Sequence, residues 1–77
     1  MRIHYFAAAR AAAGVAEEEA DTQATLEQVL ADAAERHPEL GPILARCSFL
    51  VDGHRAAPDT PLEGAERVDV LPPFAGG

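Results

Sequence analysis

One stretch of this chain has the period of a long amphipathic helix, and it limits the possible folds more than any other feature. After Thr25, apolar residues fall at Leu26, Val29, Leu30, Ala33 and Ala34. This is the i, i+3, i+4, i+7, i+8 spacing of a helix with one core-facing stripe. Thr25 with Gln28 forms a capping-box pair at its start. Glu35-Arg36-His37 closes the helix and Pro38 stops it. A single stripe needs a single covering layer, and the remaining apolar residues lie in short segments of period two. One helix packed across a mixed sheet of four to five strands is the economical α+β arrangement.

The strands follow from that pattern. Residues Met1 to Phe6 alternate, with Ile3 and Tyr5 on one face and Arg2, His4 and Phe6 on the other. A large aromatic such as Phe6 on the open face needs either a second layer or a contact surface. Ala7 to Ala13 predicts a short helix, with Gly14 at its end. Arg10 interrupts this alanine run; its planar guanidinium suits carboxylate recognition, and a solvated side chain is the plainer alternative. Val15 to Ala24 carries a weak strand pattern, with Glu17, Glu18 and Glu19 read as a solvated edge to which no chemistry is attached. Residues 39 to 46 predict a second short helical turn with Leu40, Ile43 and Leu44 at one end of the core. Ser48 to Val51 predicts a strand, Asp52-Gly53 a tight hairpin, and His54 to Ala56 a short return strand. Leu62 is the expected anchor of the turn-rich segment from Pro58 to Gly64. In the last strand, Arg67 to Leu71, Val68 and Val70 share one face while Arg67, Asp69 and Leu71 share the other.

Composition bounds the function. The 77 residues form one expected domain, 1–77. Hydrophobic residues are 48% of the chain, but nearly half of them are alanine, so the core is thin. The formal net charge is −7, which disfavours nucleic acid and favours a partner with a basic surface. All six basic residues are arginine, leaving no side-chain amine for isopeptide formation. Cys47 alone makes neither an internal disulfide nor a metal site and reads as a small core residue. His4, His37 and His54 lack ligand spacing, so no metal is expected. No apolar run is long enough to span a bilayer and no leader pattern precedes the first strand, so the expected location is the cytoplasm.

The sequence closes with Pro72-Pro73-Phe74-Ala75-Gly76-Gly77. The prolines stiffen the exit from the last strand, and the two glycines leave a slim tip whose functional group is the α-carboxylate of Gly77. Extended, the four residues from Phe74 reach roughly 13 Å. Residues 73–77 are expected to form a flexible tail: either a frayed end or a delivery arm. Phe6 and Leu71 weigh for the arm. Were the first and last strands neighbours, these two would form an apolar patch at its root.

Element order and local motifs resemble the ubiquitin-like sulfur carriers, and among them the small subunit of molybdopterin synthase. The similarity lies in Tyr5-Phe6-Ala7-Ala8-Ala9-Arg10 with Ala12-Ala13-Gly14, in Leu62-Glu63-Gly64-Ala65-Glu66-Arg67-Val68, and in the Pro-Pro-x-x-Gly-Gly ending. The chain departs from the family pattern at Ala65, where an acid is usual, and at Ala75, where a small polar residue is common. The resemblance implies a β-grasp fold and a non-catalytic, sulfur-carrying role without a bound cofactor. An adenylating partner would use ATP to activate Gly77, and a persulfide donor would convert it to a thiocarboxylate. The large synthase subunit would then use that sulfur on a pyranopterin precursor of the molybdenum cofactor. By motif match, Gly76 and Gly77 form the reactive tip, and Phe6, Arg10, Arg55, Leu71 and Phe74 meet the partner. The alternatives are a carrier for thiamine thiazole or cysteine synthesis, a ubiquitin-like protein modifier, and a plain binding module.

Overall fold

The amphipathic stripe is buried as its period requires. In the computed structural model, which describes residues 1–21 and 24–73, helix α2 spans Leu26–Arg36 and buries Leu26, Val29, Leu30 and Ala33. Its capping box is complete: the Thr25 hydroxyl accepts from the Gln28 amide at 3.3 Å, and Gln28 Oε1 accepts from the Thr25 amide at 3.0 Å. Such a cap is worth about 1 kcal/mol.

The helix covers one face of a five-stranded mixed sheet in the order β2-β1-β5-β3-β4. The strands are β1 Arg2–Tyr5, β2 Glu17–Glu19, β3 Ser48–Val51, β4 His54–Arg55 and β5 Arg67–Leu71. Ile3, Tyr5, Val68 and Val70 point into the core with Leu26, Leu40 and Leu62. Truncating one of the buried leucines to alanine would cost about 2–5 kcal/mol. The Leu26 amide donates to the Thr60 carbonyl at 2.9 Å and the Leu62 amide to the Ala24 carbonyl at 3.1 Å. These two bonds tie the turn-rich segment to the start of α2 and so place Leu62.

Smaller elements close the layer. Helix α1, Ala7–Ala13, turns Ala9 and Ala13 inward and ends at Gly14, whose φ of 77° is the left-handed cap expected of glycine. A 3-10 turn at Pro38–Leu40 leads into α3, Gly41–Leu44. The β3–β4 hairpin turns through Asp52 at φ 48° and Gly53 at φ 83°. Two successive positive φ values match the twist of the flanking strands. Asp52 Oδ1 also accepts from the amides of Glu66 and Arg67, each at 3.0 Å, so this turn anchors the start of β5 as well.

One pairing positions the rest of the molecule. Strands β1 and β5 are adjacent and parallel, with Tyr5 opposite Val70. The ends of both strands therefore lie at the same edge of the sheet. The Phe6 amide continues the ladder by donating to the Val70 carbonyl at 3.2 Å. No helix of the described residues is long and apolar enough to cross a membrane.

Candidate functional site: the root of the C-terminal segment

Phe6 leaves β1 to become the N-cap of α1, with φ −122° and ψ 152°. Its extended backbone preserves the strand alternation, so it continues the face of Arg2 and His4, opposite the core. Leu71 follows Val70 on the same open face of β5. With Tyr5 paired to Val70, Phe6 and Leu71 are the next residues in register, immediately before Pro72-Pro73. Phe6 is 38% exposed and Leu71 is half-buried. Ala7 takes φ 49°, which is unfavourable for a residue with a Cβ. That turn lets α1 start without carrying Phe6 into the core.

The open face is apolar at this end and charged at the other. Arg2 Nη1 lies 3.1 Å from Glu17 Oε1, and Arg2 Nε lies 3.5 Å from Glu19 Oε1. His4 Nδ1 is 3.5 Å from Glu17, and Arg67 Nε is 2.6 Å from Asp69 Oδ1. The exposed pairs with Glu17 and Glu19 add little stability, yet together with the Arg67–Asp69 pair they mark off a polar region from the Phe6–Leu71 end. Arg55 joins the same face. It pairs with Leu50 across the hairpin, and its Nη2 lies 3.5 Å from the hydroxyl of Ser48, itself the partner of Leu71. Arg10 stands apart. Its amide donates to the Phe6 carbonyl at 3.3 Å, but its side chain lines a shallow groove of about 360 Å³ with Ala7, Ala11 and Val15 on the flank of α1.

The opposite, helix-covered face holds a second polar cluster. Alternation along β2 leaves Glu17 and Glu19 exposed and turns Glu18 toward α2, opposite Ile3. Glu18 accepts from the Tyr5 hydroxyl, from Arg36 Nε at 3.3 Å, and meets His37 Nε2 at 3.0 Å. The rings of Tyr5 and His37 meet edge to face, 6.2 Å between centroids. Burial alone would raise the Glu18 pKa, but the hydrogen bonds from Tyr5, Arg36 and His37 outweigh it and hold the carboxyl below its ordinary range. Burial, then the bond to Glu18, raises the Tyr5 phenol. The bond to Glu18 likewise raises Arg36. The reading of all three glutamates as a solvated edge is thus corrected at Glu18, because period two sends the middle residue inward.

A family model described as the ThiS family matches residues 3–77. The chain belongs to the ThiS family. It is a ubiquitin-like chain of the sulfur-carrier class, and its mixed sheet with one main helix is the β-grasp arrangement. Among solved structures, SAMP1 of Haloferax volcanii has the same fold at 23% identity, with 100% of this chain and 98% of that chain covered and a TM-score of 0.83. Small archaeal modifier protein 1 of Methanosarcina acetivorans aligns at 21% identity over 99% of this chain and 94% of that one, TM-score 0.86. A protein of Pyrococcus furiosus described as molybdopterin converting factor, subunit 1 shares 26% identity over 95% of both chains, TM-score 0.81. No curated protein matches.

Within this ThiS-family chain, the structure brings Phe6, Leu71 and Arg55 to one face and leaves Arg10 on the neighbouring flank. Phe74, Gly76 and Gly77, with the expected flexible tail, lie outside the described residues apart from Pro73. Two features of the open face escaped the sequence reading. Leu50 lies on it, between Asp69 and Arg55 in register; strict alternation along Ser48–Val51 was the available signal. Asp69 is buried, at 9% exposure, although its strand position implies an open side chain. Its ion pair with Arg67 meets the cost of burying that charge.

Proposed function

We propose that this chain is the sulfur-carrying subunit of a molybdopterin synthase. The observation that supports this acceptor is the 26% identical Pyrococcus furiosus protein, which matches along nearly all of both chains. The modifier structures, at lower identity, speak to the fold alone.

In this reading the chemistry resides on Gly77. A carboxylate resists nucleophiles, so a partner enzyme first condenses it with ATP, releasing pyrophosphate and forming an acyl-adenylate. The outer sulfur of a persulfide attacks the acyl carbon and AMP leaves. A second thiol then attacks the donor-side sulfur of the acyl disulfide; a new disulfide forms between that thiol and the donor, and the thiocarboxylate leaves on the chain. The large synthase subunit receives this tip and directs its sulfur to the pyranopterin precursor. Phe6 and Leu71 act at a distance: binding at the root positions a slim tip in the partner's pocket. Phe74 and Arg55 add to that contact, and Gly76 lets the tip enter a narrow channel.

The test is reconstitution with the adenylating enzyme, a persulfide donor, ATP, the large subunit and the precursor. The native chain yields the dithiolene product, and a chain with one residue added after Gly77 yields none. Product from the extended chain would end every carrier reading. A charged chain that the large subunit cannot use would move the acceptor to thiazole or cysteine synthesis.

A further inference from the structure

Four of the six arginines are engaged by side chains: Arg2 with Glu17 and Glu19, Arg36 with Glu18, Arg55 with Ser48, and Arg67 with Asp69. Arg10 and Arg46 have no side-chain partner among the described residues. Each lines a shallow groove, and the two grooves flank helix α1. The first is the Arg10 groove already described. The second, about 380 Å³, runs between Ala8 of α1, Pro42 and Ile43 of α3, Arg46, and Pro72-Pro73 at the root of the C-terminal segment. In a chain with thirteen acidic residues, none lines either groove. The surface between them is the exposed alanine side of α1, with Ala7, Ala8 and Ala11 exposed and Ala9 and Ala13 turned inward.

We propose that α1 and its two grooves dock an acidic segment of a partner protein, with one carboxylate taken by Arg10, another by Arg46, and aliphatic side chains laid on the alanines between. A guanidinium presents a planar fork that pairs two hydrogen bonds with a carboxylate. The strong net negative charge repels an acidic partner everywhere else, so the two uncommitted cations fix where such a segment can land. The expectation of a basic partner, drawn from net charge, is thereby refined: the partner face that meets α1 is locally acidic. The proposal rests on the carrier reading and deepens it, because Pro72-Pro73, at the root of the C-terminal segment, forms one wall of the second groove.

The test does not depend on the carrier chemistry. The isotope-labelled full chain is titrated with a capped leucine/glutamate hexapeptide and with its leucine/glutamine counterpart, following amide resonances. The glutamate peptide is expected to shift the resonances of Ala8, Arg10, Ile43 and Arg46 saturably. The glutamine peptide should bind about tenfold more weakly. Arg46→Gln and Arg10→Gln should each lose the response of their own groove while the remaining spectrum keeps its folded pattern. Absence of shifts at these positions, equal shifts with glutamine, or shifts that survive both substitutions would overturn the proposal. So would concentration-dependent shifts at α1 without peptide, which would place a second copy there. None of these results alters whether Gly77 accepts sulfur, so the two readings fail separately.

Discussion

At the scale of single residues, Phe6 combines three structural constraints. Its strand position excludes it from the core, its backbone still pairs with β5, and the left-handed turn at Ala7, φ 49°, redirects the chain directly after it. A left-handed alanine costs roughly 1–2 kcal/mol, a strain of the kind that collects at functional surfaces. Phe6→Asp should lower folding stability by only about 1 kcal/mol, since the side chain lies on the open face, outside the buried core, and is 38% exposed. In the proposed carrier role it should weaken binding to the large synthase subunit by more than about 2 kcal/mol, as expected for a central aromatic anchor. Thermal unfolding and calorimetric titration of the same variant measure the two effects, and equal losses would make Phe6 a core residue. Phe6 and Leu71 were legible in the sequence because period-two alternation needs no tertiary information. The turn at Ala7 was not legible, because alanine carries no sequence signal for positive φ. Asp69 was hidden for a related reason, since the arginine that covers it depends on side-chain placement.

At the scale of elements, the Glu18 cluster joins strand β2 to the end of α2. The capped helix, the hairpin and strands β1 and β5 could be read from local pattern, because caps, turn residues and alternation are short-range signals. The clasp could not, since it links residues 18, 36 and 37 through the fold. It makes stability depend on pH with a definite sign. The folded carboxyl of Glu18 titrates below its ordinary value of 4.5, so the unfolded chain binds a proton more readily. The contribution is therefore present above about pH 4.5 and lost as pH falls through the folded value. Glu18→Gln should lower stability near neutrality by about 1–2 kcal/mol. It should also flatten the acid limb of a melting-temperature profile; an unchanged limb would mean that other carboxylates set it. On the alkaline side, the raised Tyr5 phenol stays protonated in the folded chain while the unfolded chain ionises above about pH 10. Stability from this group is lost as pH rises beyond that point.

At the scale of the whole molecule, a small core built mainly of Ile, Leu, Val and Tyr5 supports an acidic surface and a polarised sheet. The parallel β1–β5 pair gathers Phe6, Leu71 and the Pro72-Pro73 exit at one edge, and the α1 grooves adjoin that edge. The body thus provides recognition, and Gly77 provides the reacting carboxyl in the carrier reading. The measurement that bears most directly on this division is the intact mass of the chain after incubation with its adenylating enzyme, ATP and a persulfide donor. The account predicts a new species heavier by one oxygen-for-sulfur exchange, localised to Gly77 and dependent on ATP. A chain whose mass is unchanged while the partner enzyme is active would contradict it.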